Sequence, residues 1–166
     1  MSNTENLNNK EAIDKLKSLV NDIMVCLFCT NLKTNDGSTC CPMSAIKVCD
    51  HGNIWFFSEQ SSDKNKAILA DKNVQLFVSH PAKSSYLVVN GEAEIILDKT
   101  KIEELWTPVA NIWFKEGKDD PNISIIKVKP STAYYWDTKG NRMINFLKMV
   151  ASVVTGTNLI QGKEGA

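Results

Sequence analysis

Short runs rich in β-branched and aromatic residues, separated by clusters of turn-forming residues, recur along this chain from Ile23 to Trp136. That rhythm restricts the fold to architectures assembled from short strands, because each run can bury its apolar face only against other sheet or helix surface. The first run, Ile23 to Thr30, is unbroken and closed by NLKTNDG, the pattern of a strand buried on both faces. A second segment, Thr39 to Val48, ends at Asp50-His51-Gly52, which leads straight into Asn53-Ile54-Trp55-Phe56-Phe57, so these two predict a hairpin. Pro42 predicts an irregular or edge position. Further strands are predicted over 74–78, 123–128 and 133–136. Tyr86 to Leu97 contains Asn90-Gly91, which fits either a tight hairpin or one long strand whose glycine marks a close backbone approach.

Helical periodicity is confined to a few places. Asn8 can cap a helix with Glu11 three residues later and Ile13, Leu16, Leu19 or Val20, and Ile23 along one stripe. Ser61 or Ser62 can cap a short helix from Asp63 to Asp71. Residues 99–114 have helical spacing interrupted by Pro108, which predicts two short helices with Thr107 as the second cap. The segment 141–155 reads as helix ending at Gly156, and 157–166 as a frayed tail. At least five short strands with flanking helices favour a small decorated barrel, and the regular alternation of a doubly wound sheet is missing. With 166 residues and no linker, repeat or low-complexity block, one domain over 1–156 is expected.

Charge and cysteine usage narrow the function. Nineteen basic and nineteen acidic residues cancel, which leaves no excess to neutralise a phosphate backbone or an anionic membrane. Nucleic acid and membranes are therefore not the expected partners. The longest apolar run, Ile23 to Cys29, is too short to span a bilayer, and Met1 to Lys10 has no signal-peptide core, so a cytoplasmic location is expected. Reduced thiols without disulfides follow from that location. Cys26 and Cys29 form a CxxC, but residues three apart on a strand point to opposite faces, and the same holds for the neighbours Cys40 and Cys41. His51 and His80 sit in turns with no partner at ligand or triad spacing, so neither a metal site nor a catalytic residue is assigned.

The stretch from Trp55 to Lys64 carries the chemistry. An apolar strand there turns into a helix N-terminus, whose free N–H groups attract anions. The hydroxyls of Ser58, Ser61 and Ser62 could donate to phosphate oxygens, with Lys64 supplying a full positive charge. The same residues also fit an ordinary capped helix with a solvated lysine.

Ordered motifs extend this reading: Cys41-Pro42-Met43, then Gly52 to Ser58, then Ser62-Asp63-Lys64. They are followed by Asn73-Val74, Val89 to Ala93, Leu105-Trp106, Trp113-Phe114 with Gly117 and Asp119-Asp120-Pro121, and Tyr135-Trp136-Asp137. Over roughly residues 10 to 155 this set resembles the pyridoxamine 5′-phosphate oxidase-like flavin-binding split barrels, specifically their general stress protein branch. The resemblance implies a mainly β split barrel with flanking short helices, forming a homodimer with FMN at the subunit interface. It also implies that Asn90-Gly91 lies within a continuous strand. Carried over, Pro42, Met43 and Ser44 meet the flavin ring, Phe57 and Ser58 the ring-to-ribityl region, and Ser62 and Lys64 the phosphate, with Ser61 and Cys41 as further candidate cofactor contacts. Trp113 closes the pocket from the partner subunit, or is an interface or core aromatic without cofactor contact. Cys41 stands where the family has an arginine, which removes a fixed cation and lowers the expected flavin affinity. The implied function is flavin-dependent oxidoreduction of an unidentified small molecule, with a nicotinamide nucleotide as candidate electron donor. The alternatives are a non-catalytic flavin-binding stress protein and a degenerate barrel dimer that has lost flavin. Pyridoxamine phosphate oxidation itself is not expected, since a doubly anionic substrate favours arginine clamps and Arg142 is the single arginine.

Overall fold

The computed structural model describes residues 3–6, 9–137 and 142–145. Strand β1 (Asn3–Asn6) precedes helix α1 (Asn9–Ile23), then strands β2 (Val25–Thr30), β3 (Thr39–Val48) and β4 (Ile54–Glu59). Helix α2 (Asp63–Ala70), β5 (Asn73–His80), β6 (Ser85–Ile96) and α3 (Lys99–Leu105) follow, and β7 (Ile123–Asp137) and β8 (Arg142–Asn145) complete the order. Neighbours run β7-β4-β3-β2-β5-β6, and β6 pairs back onto β7, so six antiparallel strands close a barrel. Closure removes the free sheet edges that strands this short would otherwise expose.

The barrel interior is filled by the inward half of each strand. Phe28, Phe56, Leu76, Val89, Ile126 and Val128 are fully buried there, and the rings of Phe28 and Phe56 meet edge-on at 5.3 Å. Helix α1 lays Ala12, Ile13, Leu16, Leu19 and Val20 into the same core. A second, smaller cluster lies outside the barrel, where α3 and the following loop bury Ile102, Leu105 and Phe114 against Trp55, Ile123 and Ile125. The Trp55 indole is also covered by Lys101 at 4.7 Å and Lys127 at 5.9 Å.

The predicted hairpin between Thr39–Val48 and Ile54–Phe57 is the β3–β4 pair, turned at Gly52 with φ of 84°. Segments 123–128 and 133–136 are one strand running through Pro130. Residues 85–96 form one continuous strand, with a bulge at Asn90/Gly91, so the close-approach reading of Gly91 holds. A Cβ built on Gly91 would lie 2.5 Å from the Lys129 carbonyl oxygen.

Three expectations need correction. The first run is not buried on both faces, because Val25 and Leu27 stand half exposed on the outward side of β2. Pro42, by contrast, does hold a local edge position: it pairs with Leu27 of β2, while β3 meets β4 only over Ala45 to Val48. Cys29 and Cys40 are bonded as a disulfide, whereas reduced thiols were expected. The pairs judged from sequence lay along one strand, and only the β2–β3 register sets Cys29 opposite Cys40. Finally, Arg142–Asn145 pairs with β7 as a strand rather than opening a helix, and β1 adds beside it in parallel. The remainder of the predicted C-terminal helix, the Asn8 cap and the 157–166 tail lie outside the described residues.

Candidate functional site

The corner between β4 and α2 is fixed by bonds to the start of β7. Gln60 N–H donates to the Asn122 carbonyl (2.7 Å), Ser61 N–H to Asn122 Oδ1 (3.2 Å) and Ser62 N–H to the Glu59 carbonyl (3.1 Å). Ser62 is the N-cap of α2, its Oγ accepting from Asn65 N–H at 3.2 Å. Asn65 is buried and uses both ends of its amide. Its Oδ1 accepts from Ser58 Oγ at 2.8 Å and its Nδ2 donates to Ser124 Oγ at 2.8 Å, while Ser124 Oγ donates to the Ser58 carbonyl at 3.0 Å. This closed set ties β4, α2 and β7 together in a low-dielectric environment, where satisfied polar groups are rigid.

Sequence reasoning missed Asn65, since a polar residue in a short helix reads as solvated. The available signal was its spacing: Asn65 and Ile68 are the buried positions of α2, three residues apart on one helical face. Replacing Asn65 by alanine would leave Ser58 and Ser124 without their partners, an expected loss of about 2 kcal/mol. Urea unfolding checks this; an unchanged midpoint would show that the network carries no stability.

Among the serines predicted to hold an anion, Ser58 has its proton committed to Asn65, so it supports the corner from beneath. Ser62 Oγ lies 3.3 Å from Ser58 Oγ, and Ser61 is exposed. In the first turn of α2, Asn65 N–H goes to Ser62 Oγ and Lys66 N–H to the Ser62 carbonyl. Helix geometry leaves the N–H groups of Asp63 and Lys64 as the uncommitted donors of that turn. Lys64 is half-buried and forms no ion pair among the described residues. The carboxylate of Asp63, which would repel an anion, is engaged by Lys66 at 3.0 Å. Ser61, Ser62, Lys64 and the helix end thus form one electropositive corner suited to a phosphate ester.

The predicted ring-contacting residues fall on two faces of β3. Cys41 and Met43 point inward and pack against the main core. Pro42 and Ser44 point outward, with Pro42 exposed. β3 pairs with β4 from Ala45, opposite Phe56, so Ser44 stands just before that pairing, opposite Val25 of β2. Phe57 meets the rings of Trp106 at 5.4 Å and Phe114 at 6.2 Å. Trp113 ends the 3-10 turn Pro108–Ile112 and is 56% exposed beside the buried Phe114. Behind Cys41, burial first and then the neighbouring Cys41 push the Cys26 thiol up to about 12, which makes Cys26 an inert wall group. Among the described residues, no cluster of metal-ligating side chains occurs and no helix is long and apolar enough to cross a membrane.

Residues 11–159 match the family described as pyridoxamine 5′-phosphate oxidase like. Protein bli-3 of Neurospora crassa is 22% identical over 164 residues, covering 91% of this chain and 78% of that protein. A Clostridium acetobutylicum crystal structure, of a protein related to general stress protein 26 in the pyridoxinephosphate oxidase family, superposes with a TM-score of 0.71 at 21% identity. It covers 85% of this chain and 96% of its own. The general stress FMN/FAD binding protein of Xanthomonas citri superposes with a TM-score of 0.66 at 18% identity, covering 95% of this chain and 98% of its own.

Proposed function

Because the chain belongs to the pyridoxamine 5′-phosphate oxidase-like family, matched over residues 11–159, we propose that it is an FMN-binding, oxidoreductase-like protein of the general stress type. The observation that carries this reading is Lys64: a half-buried residue whose ammonium has no ion-pair partner among the described residues, at a helix start with two uncommitted N–H groups. An isolated cation at a helix N-terminus is unfavourable unless an anion joins it, and a phosphate ester supplies that anion. Ser61, Ser62 and Lys64 hold the phosphate. Asn65, through Ser58 and Ser124, keeps the corner in place. Pro42, Ser44 and Phe57 give the outward wall for the ring, while Cys41 and Met43 back it from the core side. With a cysteine in place of the family arginine, the phosphate depends on Lys64 and the helix end.

When bound, FMN supplies a ring that accepts hydride or electrons. The protein's own contribution is placement: aromatic side chains Phe57, Trp106 and Phe114 exclude water beside the ring wall, and the basic corner fixes the other end of the ligand. A nicotinamide nucleotide is the proposed electron donor. Turnover of bound flavin with reduced nicotinamide separates the oxidoreductase from a flavin carrier, which would bind tightly and turn over negligibly.

A homodimer completes this reading. The outward face of β2, β5 and β6 carries an apolar band in which Leu27 (47% exposed) pairs with Pro42 on one side and Phe77 (39% exposed) on the other. Val25 and Tyr86 are exposed on the same sheet surface. A contiguous apolar patch of this kind marks an association surface, and a second copy covers it, with Trp113 closing the pocket from the partner. Native mass spectrometry of the protein mixed with FMN is expected to show a dimer carrying two flavins. A flavin-free monomer would contradict both parts of the proposal, and a flavin-free dimer would favour the barrel that has lost its cofactor.

A further inference from the structure

Cys29 and Cys40 face each other across the β2–β3 ladder with Cα atoms 4.1 Å apart and their sulfurs bonded. Both belong to the outward surface of the barrel, because their neighbours Phe28 and Cys41 turn to the core. The two ends of the bond differ in access: Cys29 is 1% exposed, whereas Cys40 is exposed. Across the next strands their row continues through Gln75, Asn90 and Thr132, which hydrogen-bond to one another at 2.8 and 3.1 Å. The pair therefore borders the apolar band on its polar side. No other cysteine among the described residues competes for it. Cys41 lies on the opposite face of β3, Cys26 is buried, and Cys49 follows the far end of that strand.

We propose that Cys29–Cys40 is an exchangeable disulfide, a modification site at which a low-molecular-weight thiol attacks the exposed sulfur of Cys40. The incoming thiolate forms a bond to Cys40 Sγ while the Cys29–Cys40 bond breaks, and its electron pair leaves on Cys29, which takes up a proton. A second thiol molecule then attacks the small-molecule sulfur of the mixed disulfide and releases Cys40 as a thiolate, which is protonated in turn. The balance is one protein disulfide and two thiols giving two protein thiols and one small-molecule disulfide, with two electrons passing to the protein. The same steps run backward in the presence of the small-molecule disulfide. Asymmetric access sets the order: the reachable sulfur carries the adduct and the shielded one is the leaving and resolving group. The opened and closed forms differ in a covalent tie between β2 and β3 across the exposed 31–38 loop. This site stands independently of flavin binding.

The test treats the folded, flavin-free protein with reduced glutathione, quenches the exchange with acid, denatures the protein and labels it with iodoacetamide, and maps peptides by mass spectrometry. The expected result is loss of the Cys29–Cys40 cross-linked peptide, carbamidomethyl label on both cysteines, and return of the cross-link on incubation with oxidised glutathione. In Cys29→Ser, incubation with oxidised glutathione is expected to leave the glutathione adduct on Cys40, with one glutathione thiol released. In Cys40→Ser, Cys29 is expected to remain unmodified while the protein is folded. A cross-link that survives glutathione until the protein is denatured would overturn the proposal, as would five thiols labelled with no cross-link recovered under oxidised glutathione. A wild-type adduct on Cys29 rather than Cys40 would overturn the order of attack, and the wild-type measurement decides the outcome if either variant fails to fold.

Discussion

Lys64→Ala is expected to weaken FMN binding roughly 10- to 100-fold while changing riboflavin binding by less than about twofold. The magnitude follows from the loss of a charge-assisted hydrogen bond, worth about 1.5–3 kcal/mol, at 1.4 kcal/mol for each factor of ten. The selectivity follows from position. Lys64 sits at the start of α2, beyond the end of β4, whereas the aromatic wall around Phe57 lies on the outward sheet face. Riboflavin has the ring and ribityl chain but no phosphate, so it cannot use the ammonium. Since Cys41 supplies no cation, the loss is not shared with a second charge, and the effect should exceed that of removing either hydroxyl of Ser61 or Ser62. Flavin-fluorescence titrations of both ligands against both proteins give the comparison. Equal losses for the two flavins would place Lys64 away from the phosphate.

Gly91→Ala is expected to destabilise the fold by roughly 3 kcal/mol, a backbone clash at the upper end of what overpacking costs. The added Cβ would meet the Lys129 oxygen at 2.5 Å and the Pro130 Cα at 3.1 Å, both backbone atoms that cannot swing aside. The damage falls on β6–β7, the pairing that closes the barrel, and Gly91 sits at its bulge opposite Pro130. Alanine at Gly37, whose Cβ would meet nothing within 4 Å, is the control for loss of glycine as such, although its φ of 86° adds its own smaller strain. Chemical unfolding of both variants checks the ranking, and a Gly91→Ala protein as stable as the parent would show that β6 and β7 separate there at no cost.

How much of this was legible beforehand divides along physical lines. Strand identity was readable because β-branched and aromatic runs bounded by turn residues depend on local chemistry, as in IMVCLFCT and in the Asp50-His51-Gly52 turn. The β4–α2 corner was readable for the same reason: Ser62 does cap α2 and Lys64 does fall in its first turn. Features that depend on register between distant segments were not readable. Cys29 finds Cys40 only when β2 lies beside β3, and Asn65 becomes a buried link only when Ser124, 59 residues away, is brought to it. The two faces of β3 likewise separate Pro42 and Ser44 from Cys41 and Met43, a division that strand alternation implies but a motif of consecutive residues conceals. Asn90-Gly91 shows the limit from the other side. The dipeptide favours a turn locally, and the barrel's need for a close backbone approach overrides it.

The most direct measurement is an equilibrium titration of the unmodified protein with FMN and with riboflavin under identical conditions. Saturable binding of FMN at one flavin per chain, at least tenfold tighter than riboflavin, is the predicted result. Failure to bind FMN, or equal affinity for the two, would contradict the assignment of the α2 corner as a phosphate site.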